Sequence, residues 1–194
     1  TWKDKKIFQK KLMKGKNSGA YFTFNTSIDK DIIYQIAISF VSIENAKENL
    51  RSEKQFADFD FCKKETQKIW DKNLSKIIIK SNSKDKLTQF YTHLYHSMIH
   101  PNIVSDINGE YMGADYNIKR VEKGRDHYSS FSVWDTYRTQ GQLVAILFPK
   151  ESSDMMESLV NFAKEAGGYG RWILANIETG IMQGDPTPIL ISNS

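Results

Sequence analysis

Between residues 31 and 43 the chain reads DIIYQIAISFVSI. Tyr34, Ile36, Ile38 and Phe40 fall on one face, and Gln35, Ala37 and Ser39 on the other. A period of two in β-branched and aromatic residues predicts a half-buried strand. Residues 20–28 (AYFTFNTSI) are strand-like as well. Two strands do not make a stable sheet, so further strands are expected from polypeptide upstream. After Ser42 the pattern changes. Residues 44–54 are rich in helix formers and poor in apolar residues. Residues 60–75 open at a candidate N-cap, Asp60, and put Cys62, Ile69 and Trp70 on roughly one side. A short strand is expected at 77–80 (IIIK), and 44–76 reads as a largely exposed helical linker.

Residues 84–99 give the clearest helical period: Leu87, Phe90, Tyr91, Leu94, Tyr95 and Met98 recur every three or four positions, and Pro101 stops the run. Asn108-Gly109, between short β-like runs in 103–112, signals a two-residue hairpin. A helix is expected over 132–148, ended by Pro149, and another over 152–166, capped by Ser152 or Ser153 and stopped by Gly167-Gly168. Met155, Met156, Leu159, Val160, Phe162 and Ala163 form its apolar face. Helices that are apolar on one face and close in sequence pack against further helices. Three of them with a hairpin leave too little core for a complete catalytic domain.

Composition sharpens the division. All four prolines and nine of the eleven glycines follow residue 100, so shaped loops belong to the second half. Residues 1–80 carry 17 Lys/Arg against 10 Asp/Glu, and residues 81–194 carry 10 against 13. The excess lysines are scattered rather than blocked, which reads as a solvated surface and not a nucleic-acid interface. No apolar run is long enough to span a membrane. The single cysteine, Cys62, excludes an internal disulfide framework and a cysteine-based zinc site.

Four segments carry candidate chemistry. His93, His96 and His100 share a helix face, but Leu94 and Tyr95 stand where a zinc-hydrolase helix needs a glutamate. In SFSVWDTYR at 130–138, Ser132 and Asp135 fit a capping box. Trp134, Asp135 and Arg138 equally suit a sugar: an indole face stacks on the C–H face of a pyranose, and a carboxylate accepts from two vicinal hydroxyls. Residues 168–186 (GYGRWILANIETGIMQGDP) have no clean period and set Arg171, Trp172, Asn176, Glu178 and Asp185 among glycines, as a binding loop or a solvated one would. In 109–131, Asp115, Arg125, Asp126 and His127 either reach a ligand or tie their loop down.

Taken together, IAISFVSIENAKENL at 36–50, FYTHLYHSMIHPNIVSDINGEYMGAD at 90–115, YSSFSVWDTYRTQGQLVAILFP at 128–149 and GYGRWILANIETGIMQGDPTP at 168–188 resemble glycoside hydrolase family 92 in content, order and spacing. The resemblance covers about residues 32–190. It implies a mixed α and β fragment: the C-terminal edge of an N-terminal β-sandwich domain (1–43), a helical linker (44–80), and the first helices of an incomplete (α/α)6 barrel (81–194). It implies a calcium-dependent, inverting exo-α-mannosidase, mostly α-1,2, acting on terminal mannose of glycans, in the periplasm or on the surface of a bacterium. Inversion needs a general acid and a general base about 6.5–9.5 Å apart. The family draws these from E-G-N-A-W-Q-Y-like and G-N-D-D-C-G-like segments, and neither occurs here. The acid and base are therefore expected downstream of residue 194, the calcium ligands mainly outside the chain, and the fragment is expected to be inactive without the rest of its parent chain. Trp134, Asp135, Arg171 and Glu178 are the positions that the resemblance assigns to mannose binding or its support. NIET stands here where the family has G-N-E-T. Another (α/α)6 glycosidase, or a non-catalytic carbohydrate-binding module, are the alternative readings.

Overall fold

The computed structural model describes residues 1–11, 13, 15–27, 30–53 and 58–194. It is a mixed α and β chain in two compact units, Thr1–Tyr34 and Gln35–Ser194. The first unit holds an antiparallel sheet of β1 (Trp2–Lys3), β2 (Lys6–Ile7) and β3 (Ser18–Gly19), in the order β2-β1-β3. Asp4 and Lys5 join β1 to β2, both with positive φ (46° and 65°), the twist that a two-residue hairpin requires. Gly19 lies under the Trp2 indole, where a Cβ would stand 2.8 Å from ring atoms. The strand expected at 20–28 is absent over 20–27, which pair with no neighbour, and residue 28 lies outside the described residues.

In the second unit, the strand expected at 31–43 is also corrected. Residues 35–42 are in no ladder, and α1 (Ile43–Ser52) begins at its end. The alternation persists with its sense reversed: Ala37 and Ser39 turn inward, while Ile36, Ile38 and Phe40 are 71%, 72% and 47% exposed. A polar anchor sets this sense. The Ser39 hydroxyl donates to Asp106 (2.7 Å), which also accepts from the Asn45 (2.8 Å) and Asn49 (2.7 Å) amides on α1. Asp106 is buried, and a buried carboxylate must be met by donors.

Ser42 caps α1 through the Asn45 N–H (3.0 Å). Asp58, not Asp60, caps α2 (Phe59–Leu74) through the Phe61 N–H (2.9 Å). No residue of α2 is buried, as an exposed linker helix predicts; residues 54–57 of that linker lie outside the described residues. Residues 77–80 are not a strand. They lie along α3 (Lys84–His96), held by the Tyr91 hydroxyl, which donates to the Ile77 carbonyl (3.2 Å). Trp70 meets Tyr95 edge-on at 4.6 Å and joins α2 to α3.

Next come β4 (Asn102–Ile103), β5 (Glu110–Met112), β6 (Ile118–Arg120), β7 (Tyr128–Ser129) and β8 (Phe131–Ser132). The Asn108-Gly109 turn forms, with Gly109 at φ 82° and its N–H donating to the Asp106 carbonyl (2.7 Å). It does not make the expected hairpin, because β4 pairs with β7 and β5 with β6. The expected helix over 132–148 is two: α4 (Val133–Thr136) and α5 (Gln140–Leu147), broken at Thr139 with φ 64°. Tertiary contacts set the break. The Gln140 side chain donates to the Ser97 carbonyl (2.9 Å), and at Gly141 a Cβ would overlap Leu190. Pro149 starts α6 (Pro149–Ala166) rather than ending α5, since a proline at the first helical position wastes no hydrogen bond. Ser152 is accordingly inside the helix, not its cap. Gly167, at φ 80°, ends α6 as expected. A hairpin of β9 (Trp172–Leu174) and β10 (Ile177–Glu178) adds to β8 in the order β10-β9-β8, and α7 (Thr187–Asn193) follows.

The core gathers Tyr128, Phe131, Val133, Leu159, Phe162, Ile173 and Leu190, from β7, β8, α4, α6, β9 and α7. Each fully buried side chain of this size contributes roughly 1.5–3 kcal/mol. This cluster fixes the α4 turn, because Val133 is wholly buried within it.

Candidate functional site

Val133 points into the core, so the next two residues of the short α4 helix face outward. Trp134 is 43% exposed and Asp135 is exposed. The capping box expected from Ser132 and Asp135 takes another form: the Ser132 hydroxyl donates to the Asp135 carboxylate and caps no backbone N–H. The Val133 and Trp134 N–H groups instead donate to the Arg171 carbonyl (3.0 and 3.4 Å). This follows from pairing, since Ser132 of β8 lies opposite Trp172 of β9.

Arg171 and Glu178 meet behind that turn. Glu178 Oε2 accepts from the Arg171 N–H (2.7 Å) and the Trp172 N–H (3.1 Å), and Oε1 accepts from the Gly180 N–H (2.9 Å). The Arg171 guanidinium donates from Nε to the carbonyls of Ile181 (3.1 Å) and Met182 (2.8 Å) and so holds the following loop. The hairpin tip is also fixed: Ala175 has φ 52°, and Asn176 donates to the Gly113 carbonyl (3.1 Å). The four residues singled out in the sequence are thus brought into one cluster through the Arg171 peptide. Two present side chains outward and two build the support.

Two of the cavities among the described residues bear on the site. One, of about 450 Å³, is bordered by His96, His100, Ser132, Met156, Trp172 and Leu190 among others. It is largely apolar, and the Trp172 indole N–H is buried with no partner among the described residues. Trp134, Asp135, Arg171 and Glu178 border neither cavity, although Ser132 and Trp172 connect their cluster to this one. Trp172, named in the sequence only as one of the candidates of the 168–186 loop, lines this cavity; its position opposite Ser132 depends on a strand pairing that periodicity does not show. The other cavity, of about 800 Å³, lies between 36–40, the end of α1 and the loops 103–109 and 120–126.

The four candidates of 109–131 are each tied to neighbouring protein groups, and Arg125 and Asp126 also border the larger cavity. Asp115 pairs with Lys119 (2.8 Å), and hydrogen bonds from Asn117 and Lys119 pull its carboxyl down to about 2. Arg125 bridges Asp154 and Glu157 (2.8 Å each), while the Asp126 N–H also donates to the buried Asp154 (3.3 Å). His127 is buried and stacked on Tyr111, with ring centroids 3.6 Å apart. Burial holds its pKa down at about 4, so the ring is neutral. Among the described residues, no group of three or more His, Cys, Asp or Glu side chains is placed to hold a metal ion. No helix there is long and apolar enough to cross a membrane.

Comparison with curated proteins gives no match. The sequence model of the glycosyl hydrolase family 92 catalytic domain matches residues 45–194. Among solved structures, the family GH92 α-mannosidase BT3965 from Bacteroides thetaiotaomicron is 31% identical, with a TM-score of 0.69 over 75% of this chain and 20% of its own. The same enzyme, also solved in complex with mannoimidazole, matches at 31% identity and a TM-score of 0.68, over 74% of this chain and 19% of its own. The GH92 family glycosyl hydrolase ccman5 is 26% identical, with a TM-score of 0.65 over 79% of this chain and 21% of its own. The family GH92 inverting mannosidase BT2199 from Bacteroides thetaiotaomicron VPI-5482, 24% identical, shares the fold at a TM-score of 0.70 over 80% of this chain and 21% of its own. The chain spans about a fifth of the length of each of these proteins. With the catalytic-domain model matched over most of its residues, the chain belongs to glycosyl hydrolase family 92.

Proposed function

We propose that this chain is part of an inverting exo-α-mannosidase, preferring α-1,2 links, that removes terminal mannose from glycans outside the bacterial cytoplasm. The observation that carries the reading is the exposed Trp134–Asp135 pair, anchored at its base by Val133 and the Arg171 carbonyl, in a chain of this family. An indole face and a carboxylate side by side match the C–H face and vicinal hydroxyls of mannose. That BT3965 binds mannoimidazole supports the same ligand class.

In this reading the chain supplies one wall of the sugar pocket. The general acid and the general base come from the rest of the parent, as do most of the calcium ligands. This chain's part in catalysis is to hold and orient the sugar through Trp134 and Asp135. The exposed Ile36, Ile38 and Phe40 fit the proposed architecture, in which an upstream β-sandwich covers that apolar row and α3 to α7 open an (α/α)6 barrel.

The test is turnover of an aryl α-mannoside by the full-length parent, with calcium and with chelator. The parent is expected to release mannose, to lose activity on chelation, and to fall about ten- to hundredfold in kcat/KM on Asp135→Ala, as loss of charged hydrogen bonds implies. The 194-residue chain alone is expected to show no turnover. Clear hydrolysis by the chain alone, or an unchanged kcat/KM in D135A, overturns the reading.

A further inference from the structure

We propose that Glu178 is a positioning residue that acts on the sugar-facing turn through the Arg171–Trp172 peptide, and that it does not itself touch the sugar. This rests on the reading of Trp134 and Asp135 as the contact pair. The short α4 helix has no side-chain cap, because the Ser132 hydroxyl is engaged with Asp135. Its first two N–H groups depend on one acceptor, the Arg171 carbonyl. The N–H of that same peptide group is Trp172's, which Glu178 Oε2 holds at 3.1 Å, and the same oxygen holds the Arg171 N–H of the preceding peptide at 2.7 Å. Glu178 Oε1 takes the Gly180 N–H at 2.9 Å. Three charge-assisted bonds therefore occupy most of the carboxylate's acceptor directions and leave little for a ligand.

Gly170 shows that the local chain is shaped around this carboxylate. A Cβ at residue 170 would stand 2.8 Å from Glu178 Oε2 and 2.5 Å from the Ile173 side chain. Position 170 must lack a side chain for Glu178 to reach both N–H groups. The Arg171 side chain adds a second brace by holding the Ile181 and Met182 carbonyls. A peptide fixed on both sides presents its carbonyl in one orientation, and Trp134 and Asp135 inherit that orientation.

The experiment uses the full-length parent and its Glu178→Gln variant, with two readouts. The first is amide hydrogen exchange. Loss of the charged acceptor is expected to speed exchange at Val133 and Trp134 by about tenfold while α6 keeps its protection. The second is kcat/KM on an aryl α-mannoside, alone and in an Asp135→Ala background. E178Q is expected to lower it about tenfold in the wild-type background and to add little once Asp135 is gone, since residues acting through one another are not additive. Unchanged exchange at Val133 and Trp134, or a full additional loss in the D135A background, overturns the proposal. If E178Q loses protection throughout α6, Glu178→Asp is judged by the same two criteria. A parent without mannoside turnover defeats the functional reading only; the exchange result still decides whether Glu178 holds the turn.

Discussion

His127 is a titratable ring with Nδ1 buried and unpartnered, 7% exposed and stacked on Tyr111. Burial, and the hydrogen bond its phenol donates to Glu165 (2.8 Å), push Tyr111 upward, so both members of the stack stay neutral over the working pH range. The pKa of His127 falls from 6.5 to about 4 on folding, so the unfolded chain binds its proton first as the pH drops. Stability is therefore full above the unfolded pKa, declines through the interval down to the folded one, and levels off below it. Between about pH 7 and about pH 4.5 the expected loss is on the order of 2–3 kcal/mol. His127→Phe keeps the stack and removes the proton site, so urea unfolding at the two pH values should show most of that loss abolished. An equal loss in H127F would mean that other groups carry it. Asp115 is distinct, since its carboxyl, held at about 2, loses its stabilising charge only below the ordinary 3.8.

At the scale of elements, helix ends were readable only in part. Gly167 was legible as the stop of α6 because only a residue without Cβ takes φ 80° at no strain. Gly167→Ala should lower stability by about 1 kcal/mol in urea unfolding, while Gly168→Ala should change it by less than about 0.5 kcal/mol. Both positions are open to solvent, with nothing within 4 Å of an added Cβ, so the comparison isolates backbone conformation. Equal effects would show that the left-handed cap is not what ends the helix. The start of α6 was misread for a physical reason. Ser152, Ser153 and Asp154 look like a cap, but Asp154 is buried between Arg125 and Lys150 (2.8 Å each), and Pro149 opens the helix instead. The α4–α5 break left no mark on the apolar period, because Gln140 and Gly141 set it through contacts with residues 43 or more positions away.

Over the whole molecule, the segment at 36–40 presents a row of exposed apolar side chains on a polar anchor. Ile36, Ile38 and Phe40 are exposed while Ser39 is tied to Asp106. If the parent's β-sandwich covers this face, the double variant Ile36→Lys/Ile38→Lys should reduce self-association of the isolated chain, followed by light scattering. It should leave that chain's unfolding within about 0.5 kcal/mol, yet lower the Tm of the full-length parent by several degrees. A parent that tolerates both lysines would place the sandwich elsewhere. The sequence by itself determined the elements whose information is local: the helical period of α3, the Gly167 stop, the exposed α2, and the four motifs whose register gave the family. It also named Trp134, Asp135, Arg171 and Glu178. Only the tertiary structure decided how these four relate, because their link runs through one peptide carbonyl and a β8–β9 pairing some forty residues apart in sequence. Periodicity reports which face of an element is apolar. It does not report which backbone group on a distant strand will accept that element's hydrogen bonds, and here that acceptor fixes the turn bearing Trp134 and Asp135.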